Sequence, residues 1–301
     1  MTYFAILLAA CSGAGFHFAF RKSLDGGGRA NVFLMLQCFF AALLATFLNV
    51  NFRSISSLDL ATIHFGMIEG GLYFLMMALL GKAFQKGPPG LTVATMNSAS
   101  VVPAILMAVL FGSEFGHSYT LWNGLGSLLV ILGLFIAAKG SSSFTASKQA
   151  WALCALLAFA GHSLYLSFFQ WRALLLQDLP LPYFSFTLPQ ESAGWFQTLI
   201  FLTAGVIQLG IYLYKDRRPL SWQAVMWASF GGICNSLCTF GLVWASEIAT
   251  DGQRALIFPS TGVLSILLCS LWGKWVYKEQ ISWKGSVLCF SGIVLATFRA
   301  G

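Results

Sequence analysis

The sequence predicts an all-α membrane protein of ten transmembrane helices, arranged as two inverted five-helix repeats. Three observations predict it. Of 301 residues, 57% are hydrophobic and only 9% are charged, against roughly 25% charged in an ordinary soluble domain. Ten apolar runs approach or exceed the roughly 20 residues needed to cross a bilayer. Basic residues collect after every second run.

The runs cover 3–20, 31–50, 60–81, 90–112, 119–138, 149–171, 192–214, 221–246, 253–276 and 282–299. They are continuous and do not alternate with period two, which favours helices over barrel strands. The first run contains Leu8-Ala9-Ala10-Cys11, a cleavage-like box, but residues 1–10 hold no Lys or Arg. A signal peptide carries positive charge before its apolar stretch, and here Arg21 and Lys22 follow it, so a membrane-spanning helix is expected. Most connectors are short. The longest, 172–191, includes Leu179-Pro180-Leu181-Pro182-Tyr183-Phe184, read as a proline-interrupted loop whose aromatics rest at the headgroups.

Connectors after the odd-numbered runs hold 13 of the 17 basic residues, and the opposite side holds Arg53, Arg172, Arg254 and Arg299. Basic loops stay cytoplasmic. The chain is therefore expected as a multi-pass protein of a cell (inner) membrane, with both termini on the non-cytoplasmic side. The net charge of +7 does not point to nucleic acid, because the basic residues punctuate apolar runs and form no polar face. All seven cysteines lie inside apolar runs, which excludes a secreted-type disulfide framework. Cys234 and Cys238 are one turn apart without a nearby His or third Cys, so neither a metal nor another cofactor is expected.

Order along the chain hints at duplication, with residues 1–140 and 141–301 as the two halves. Ala14-Gly15-Phe16-His17 resembles Ala160-Gly161-His162. Gly90 to Gly112 resembles Gly252 to Gly273, with Ser98 opposite Ser260. Trp122-Asn123-Gly124 resembles Trp283-Lys284-Gly285, and Gly126-Ser127 with Gly133 resembles Gly285-Ser286 with Gly292. A unit with five spans is inverted when duplicated, and inverted repeats are a transporter signature with substrate bound near the midplane.

On these grounds the chain resembles the drug/metabolite transporter superfamily, in its ten-helix EamA-like branch. The resemblance covers nearly the whole chain and rests on Gly90–Gly133 and Gly252–Gly292. In each, an apolar helix ends near Gly and an acidic residue (Gly112-Ser113-Glu114; Glu279) before a Gly-rich helix. It implies a central cavity lined mainly by the first, third, fourth, sixth, eighth and ninth helices.

Several polar residues inside the runs are candidates for that cavity. Glu69 sits midway along the third run, in Gly66-Met67-Ile68-Glu69-Gly70. An ionisable side chain at that depth costs about 2.5–3.5 kcal/mol on insertion scales. It is expected to bind a substrate ammonium group or relay a proton, the alternative being a carboxyl bonded to a neighbouring helix. His17 and His162 are related by the repeat and either hydrogen-bond substrate or are satisfied interior groups. Asn97, Ser98, Asn235 and Ser236 either line the cavity or bond between helices, as do Gln37 and Gln208. Arg254, near Asp251 and Gly252, is either an anion site at a helix N-terminus or a solvated end. Pro103 and Pro259 predict kinks.

These features predict a secondary carrier for a small metabolite, amino-acid-like or related, working by alternating access with proton coupling or exchange, as a monomer or homodimer. The other classes are weaker. An intramembrane enzyme acting on a lipid-soluble substrate needs paired catalytic groups in the spans. All five Asp residues fall at run ends or in loops. A channel usually needs symmetric assembly around a pore.

Overall fold

The computed structural model describes residues 1–49, 58–86, 89–138, 148–177, 188–189, 192–215, 220–277 and 283–297. The described residues form twelve α-helical segments and no strand. In chain order these are α1 (Thr2–Asp25), α2 (Ala30–Leu48), α3 (Leu60–Lys86), α4 (Pro89–Ser98), α5 (Val102–Leu110), α6 (Leu121–Ala138), α7 (Lys148–Leu175), α8 (Ala193–Lys215), α9 (Trp222–Ile248), α10 (Asp251–Arg254), α11 (Ile257–Tyr277) and α12 (Trp283–Thr297).

Each apolar run coincides with helix. Seven helices, α1, α2, α3, α7, α8, α9 and α11, are long and apolar enough to cross a membrane. Three further apolar stretches, within 95–110, 121–133 and 283–296, are shorter. The protein is multi-pass by helix length and hydropathy. Outward-facing apolar side chains such as Phe47 (78% exposed) and Val109 (77% exposed) suit a surface solvated by lipid. The fourth run is interrupted: α4 passes through a 3₁₀ turn at Ala99–Val101 before α5, with Pro103 in the first turn of α5. Proline lacks the N–H that a continuous helix would use there. Pro259 likewise falls in the first turn of α11, where its missing N–H costs nothing. The segment 178–187, with the predicted Leu179–Phe184 loop, lies outside the described residues.

Helix pairs meet through small residues, which let backbones approach closely. Helix α1 runs antiparallel to α9: Gly15 lies on Cys234, and a Cβ at Gly241 would meet the Ala5 carbonyl oxygen at 2.8 Å. Helix α7 runs antiparallel to α3, with Gly161 on Met76 and the Phe65 and Trp171 rings 5.3 Å apart. Helices α2 and α9 are parallel, Gly231 on Phe33 and Gly232 on Gln37 and Ala41. So are α8 and α3, Gly66 on Leu199 and Gly70 on Ile200 and Thr203. Helix α2 crosses α8 in the antiparallel sense, from Cys38 on Gly205 to Asn49 on Gly194. Helices α6 and α12 are antiparallel too: Gly126 meets Gly292, and Gly133 meets Gly285. Helix α11 lies along α1, and α4 and α5 lie along α7.

One expectation is corrected. Arg172 does not sit in a connector. Helix α7 continues to Leu175, and Arg172 is 1% exposed. Its Nη1 pairs with Glu247 of α9, Nη2 bonds the Ser192 Oγ at 3.2 Å, and the guanidinium lies 5.0 Å from the Phe196 ring centre. A partnered charge is tolerated at this depth where a lone one is not, so the helix extends past the apolar run.

Candidate functional site

A partly open cavity of about 110 Å³ lies between α1, α3, α4, α7, α9 and α11. These are the helices that the family resemblance implied. Four candidates from the sequence line it: His17 from α1, Asn97 from α4, His162 from α7 and Asn235 from α9. Aromatic and thioether groups, among them Phe16, Met76, Met96 and Phe258, form its apolar walls.

The floor is a hydrogen-bond network that joins three helices. Asn235 Nδ2 donates to the Tyr73 hydroxyl at 2.6 Å and to Gln37 Oε1 at 2.8 Å. Gln37 Nε2 donates to the same Tyr73 oxygen at 3.2 Å. Tyr165 lies beside Tyr73, with ring centroids 5.4 Å apart, and its hydroxyl is 3.5 Å from Thr239 Oγ1. His162 is held by Nδ1, 3.0 Å from the Met96 carbonyl oxygen. A carbonyl only accepts, so Nδ1 carries the proton and Nε2 is left as an acceptor.

Three other candidates do not line the cavity. Glu69 is wholly buried on the α3 face that carries Phe65 and Tyr73, one turn from each. Neither of its carboxyl oxygens has a hydrogen-bond partner among the described residues. Gly66 and Gly70 beside it pack on α8. Ser98 is buried at the end of α4. Arg254 ends the four-residue α10, whose N-terminus is closed by a capping box of Thr250 and Gln253. The Arg254 Nη1 donates to the Phe115 carbonyl at 2.6 Å and lies 3.9 Å from Asp251. The guanidinium thus ties α10 to the turn after α5. Gly116 has φ +75°, and a Cβ there would also meet Arg254 Nη1, at 2.7 Å, so the turn requires glycine. Gln170 Nε2 donates to the Arg254 carbonyl at 2.8 Å, and Thr2 Oγ1 donates to Gln253 at 3.0 Å. Together these bonds link α1, α7, α10 and the turn after α5.

His117 lies in the same turn, outside the membrane-spanning helices. Burial, reinforced by Arg254 and opposed by Asp251, lowers its pKa from 6.5 to about 4.

Sequence reasoning missed Tyr73, Tyr165 and the Gln197–Ser236 contact, in which Gln197 Nε2 donates to the Ser236 hydroxyl at 3.0 Å. Gly70 packs on Ile200 and Thr203 of α8 and Gly232 on Gln37 and Phe40 of α2, with Tyr73 and Asn235 each three residues on; those contacts exist only in the packed structure, so the sequence held no signal for Tyr73. Gln37 is fully buried within the network and bonds between helices. Among the described residues, no group of three or more His, Cys, Asp or Glu side chains is placed to hold a metal ion.

No protein-family model and no curated protein matches the chain. Solved structures do match. One of them, described as "Crystal structure of protein", aligns over 98% of this chain and 94% of its own with a TM-score of 0.69 at 14% identity. The likeness at that identity is one of fold.

Proposed function

We propose that the chain is a secondary carrier that moves a small metabolite across a cell (inner) membrane by alternating access, as members of the drug/metabolite transporter superfamily do. In this reading all ten runs cross the bilayer, residues 1–140 and 141–301 are inverted repeats, and both termini face away from the cytoplasm.

The packing pattern supports the repeat. Exchanging α1 with α7, α2 with α8, α3 with α9, α4–α5 with α11 and α6 with α12 turns the most extensive pairings into others that are present, α7 on α9 being an exception. The antiparallel α1–α9 pair becomes α7–α3, and the parallel α2–α9 pair becomes α8–α3. The α2–α8 and α6–α12 pairs map onto themselves and are antiparallel, as opposed halves require. The exchange also carries the Gly126–Gly292 contact into the Gly285–Gly133 contact.

The observation that carries the functional reading is the cavity on that seam. It takes α1, α3 and α4 from one half and α7, α9 and α11 from the other. A site shared by two inverted bundles becomes accessible from alternate sides when one rocks against the other. The charge pattern needed for hydrolysis or group transfer is not gathered there, so a carrier fits the site better than an enzyme.

The test is uptake into proteoliposomes over a panel of amino acids, amides, nucleosides and sugars, with and without a pH gradient. Saturable uptake of at least one compound, absent from empty liposomes and competed by its own excess, is the expected result. A folded, correctly inserted protein that transports none of them would overturn the reading.

A further inference from the structure

We propose that the cavity selects an uncharged solute that carries both a hydrogen-bond donor and an acceptor, of the amide, lactam or urea class, and discriminates against ions of equal size. The proposal rests on the carrier reading only in treating this cavity as the substrate site.

The first observation is the absence of formal charge. The described cavity-lining residues include no Asp, Glu, Lys or Arg. The Arg172 guanidinium is spent on Glu247 and that of Arg254 on the Phe115 carbonyl. Glu69 is buried on the α3 face that carries Phe65 and Tyr73 and is not among the cavity-lining residues. An ion entering such a site loses its hydration and finds no permanently charged side chain in return, a cost that an uncharged solute avoids.

The second observation is the hydrogen bonding left over. The Tyr73 oxygen already accepts from Gln37 and Asn235, so its own O–H is the group still needing a partner. Asn235 spends Nδ2 on Gln37 and Tyr73, which leaves its Oδ1 as an acceptor. His162 spends Nδ1 on Met96, which leaves Nε2 as another. His17 also lines the cavity and, as a neutral ring, supplies one donor and one acceptor, and the buried Ser100 hydroxyl is unbonded among the described residues, so the cavity offers both donors and acceptors on groups that carry no fixed charge. A carboxylate supplies acceptors only and an ammonium donors only, whereas a primary amide supplies both. The Phe16, Phe258, Met76 and Met96 walls suit a flat apolar body beside that polar edge.

Three probes of one ring size separate the possibilities: benzamide, benzoate and benzylammonium. Binding to the purified full-length protein is read by intrinsic tryptophan fluorescence and by the shift in melting temperature. Benzamide is expected to bind about tenfold or more tightly than either ion, and Tyr73→Phe and His162→Phe are each expected to weaken it by about fivefold or more. Equal or tighter binding of benzoate or benzylammonium overturns the proposal, as does a folded wild-type protein with no saturable benzamide binding. The wild-type comparison needs no variant, so a variant that misfolds leaves the test intact. Benzamide binding with no uptake of any compound would sink the carrier reading alone. Carrier activity towards other compounds together with a preference for the two ions would sink this proposal alone.

Discussion

Asn235 and Tyr73 meet across α9 and α3, amide to hydroxyl at 2.6 Å, with Gln37 of α2 closing the triangle. The pair occupies matched positions in the two halves proposed above, so the floor of the cavity sits where those halves are joined. Replacing Tyr73 by Phe removes the oxygen that accepts two buried N–H groups. A buried donor left unsatisfied costs about 1–3 kcal/mol. Thermal unfolding in detergent is expected to show that loss, and Asn235→Ala added to Tyr73→Phe should cost less than the two single changes together.

The Arg172–Glu247 pair predicts an asymmetry. Arg172 is 1% exposed and Glu247 27%. Removing Glu247 strands a fully buried guanidinium, while removing Arg172 leaves a carboxylate that is partly exposed. Glu247→Ala is expected to destabilise by about 3 kcal/mol, the lower end for a broken buried pair, and by more than Arg172→Met. Equal effects in chemical denaturation would show that the pair's burial does not govern its energy.

His117 makes stability depend on pH. Its pKa falls from 6.5 to about 4 on folding, so between those values the unfolded chain binds a proton that the folded one does not. Its contribution is fully present above pH 6.5 and is lost as pH falls toward 4. The loss amounts to at most about 3 kcal/mol at 1.36 kcal/mol per unit. His117→Gln should flatten the stability profile in that window. A wild-type profile flat from pH 6.5 to 4 would contradict the burial.

Gly292 approaches Gly126 so closely that a Cβ on it would lie 2.6 Å from the Gly126 carbonyl oxygen. Both backbones must yield to any side chain there. Gly292→Val is expected to cost about 1–3 kcal/mol through overpacking, and a Gly at the exposed position Phe290 should be nearly neutral to the α6–α12 contact. Cysteine crosslinking between α6 and α12 reads the separation directly.

Glu69 is fully buried, with neither oxygen bonded among the described residues. Glu69→Gln keeps its volume and should fold and insert as the parent does, with stability within about 1 kcal/mol. Glu69→Lys introduces a longer, cationic group on the buried face of α3 and should reduce the folded yield. If Glu69 takes part in proton coupling, Glu69→Gln lowers uptake driven by a pH gradient while leaving exchange intact. Unchanged pH-driven uptake removes Glu69 from that role.

Sequence alone determined the solvent and the helices. Too few charges exist to cover a water-facing surface, and uninterrupted apolar runs in lipid must bond their own backbone, which leaves helix as the solution. It also marked His17, His162, Asn97 and Asn235, because a polar group at mid-span needs a partner or a cavity. Which of these alternatives holds depends on helix rotation, and only the tertiary structure decided it. Glu69 is buried outside the cavity, Arg254 spends its charge on a backbone carbonyl, and Tyr73 enters the floor of the cavity. In a helix that is apolar all round, no polar stripe in the sequence records which face turns inward. That rotation is set by where glycines such as Gly66, Gly70 and Gly232 let a neighbouring backbone approach, and such contacts exist only once the helices are packed.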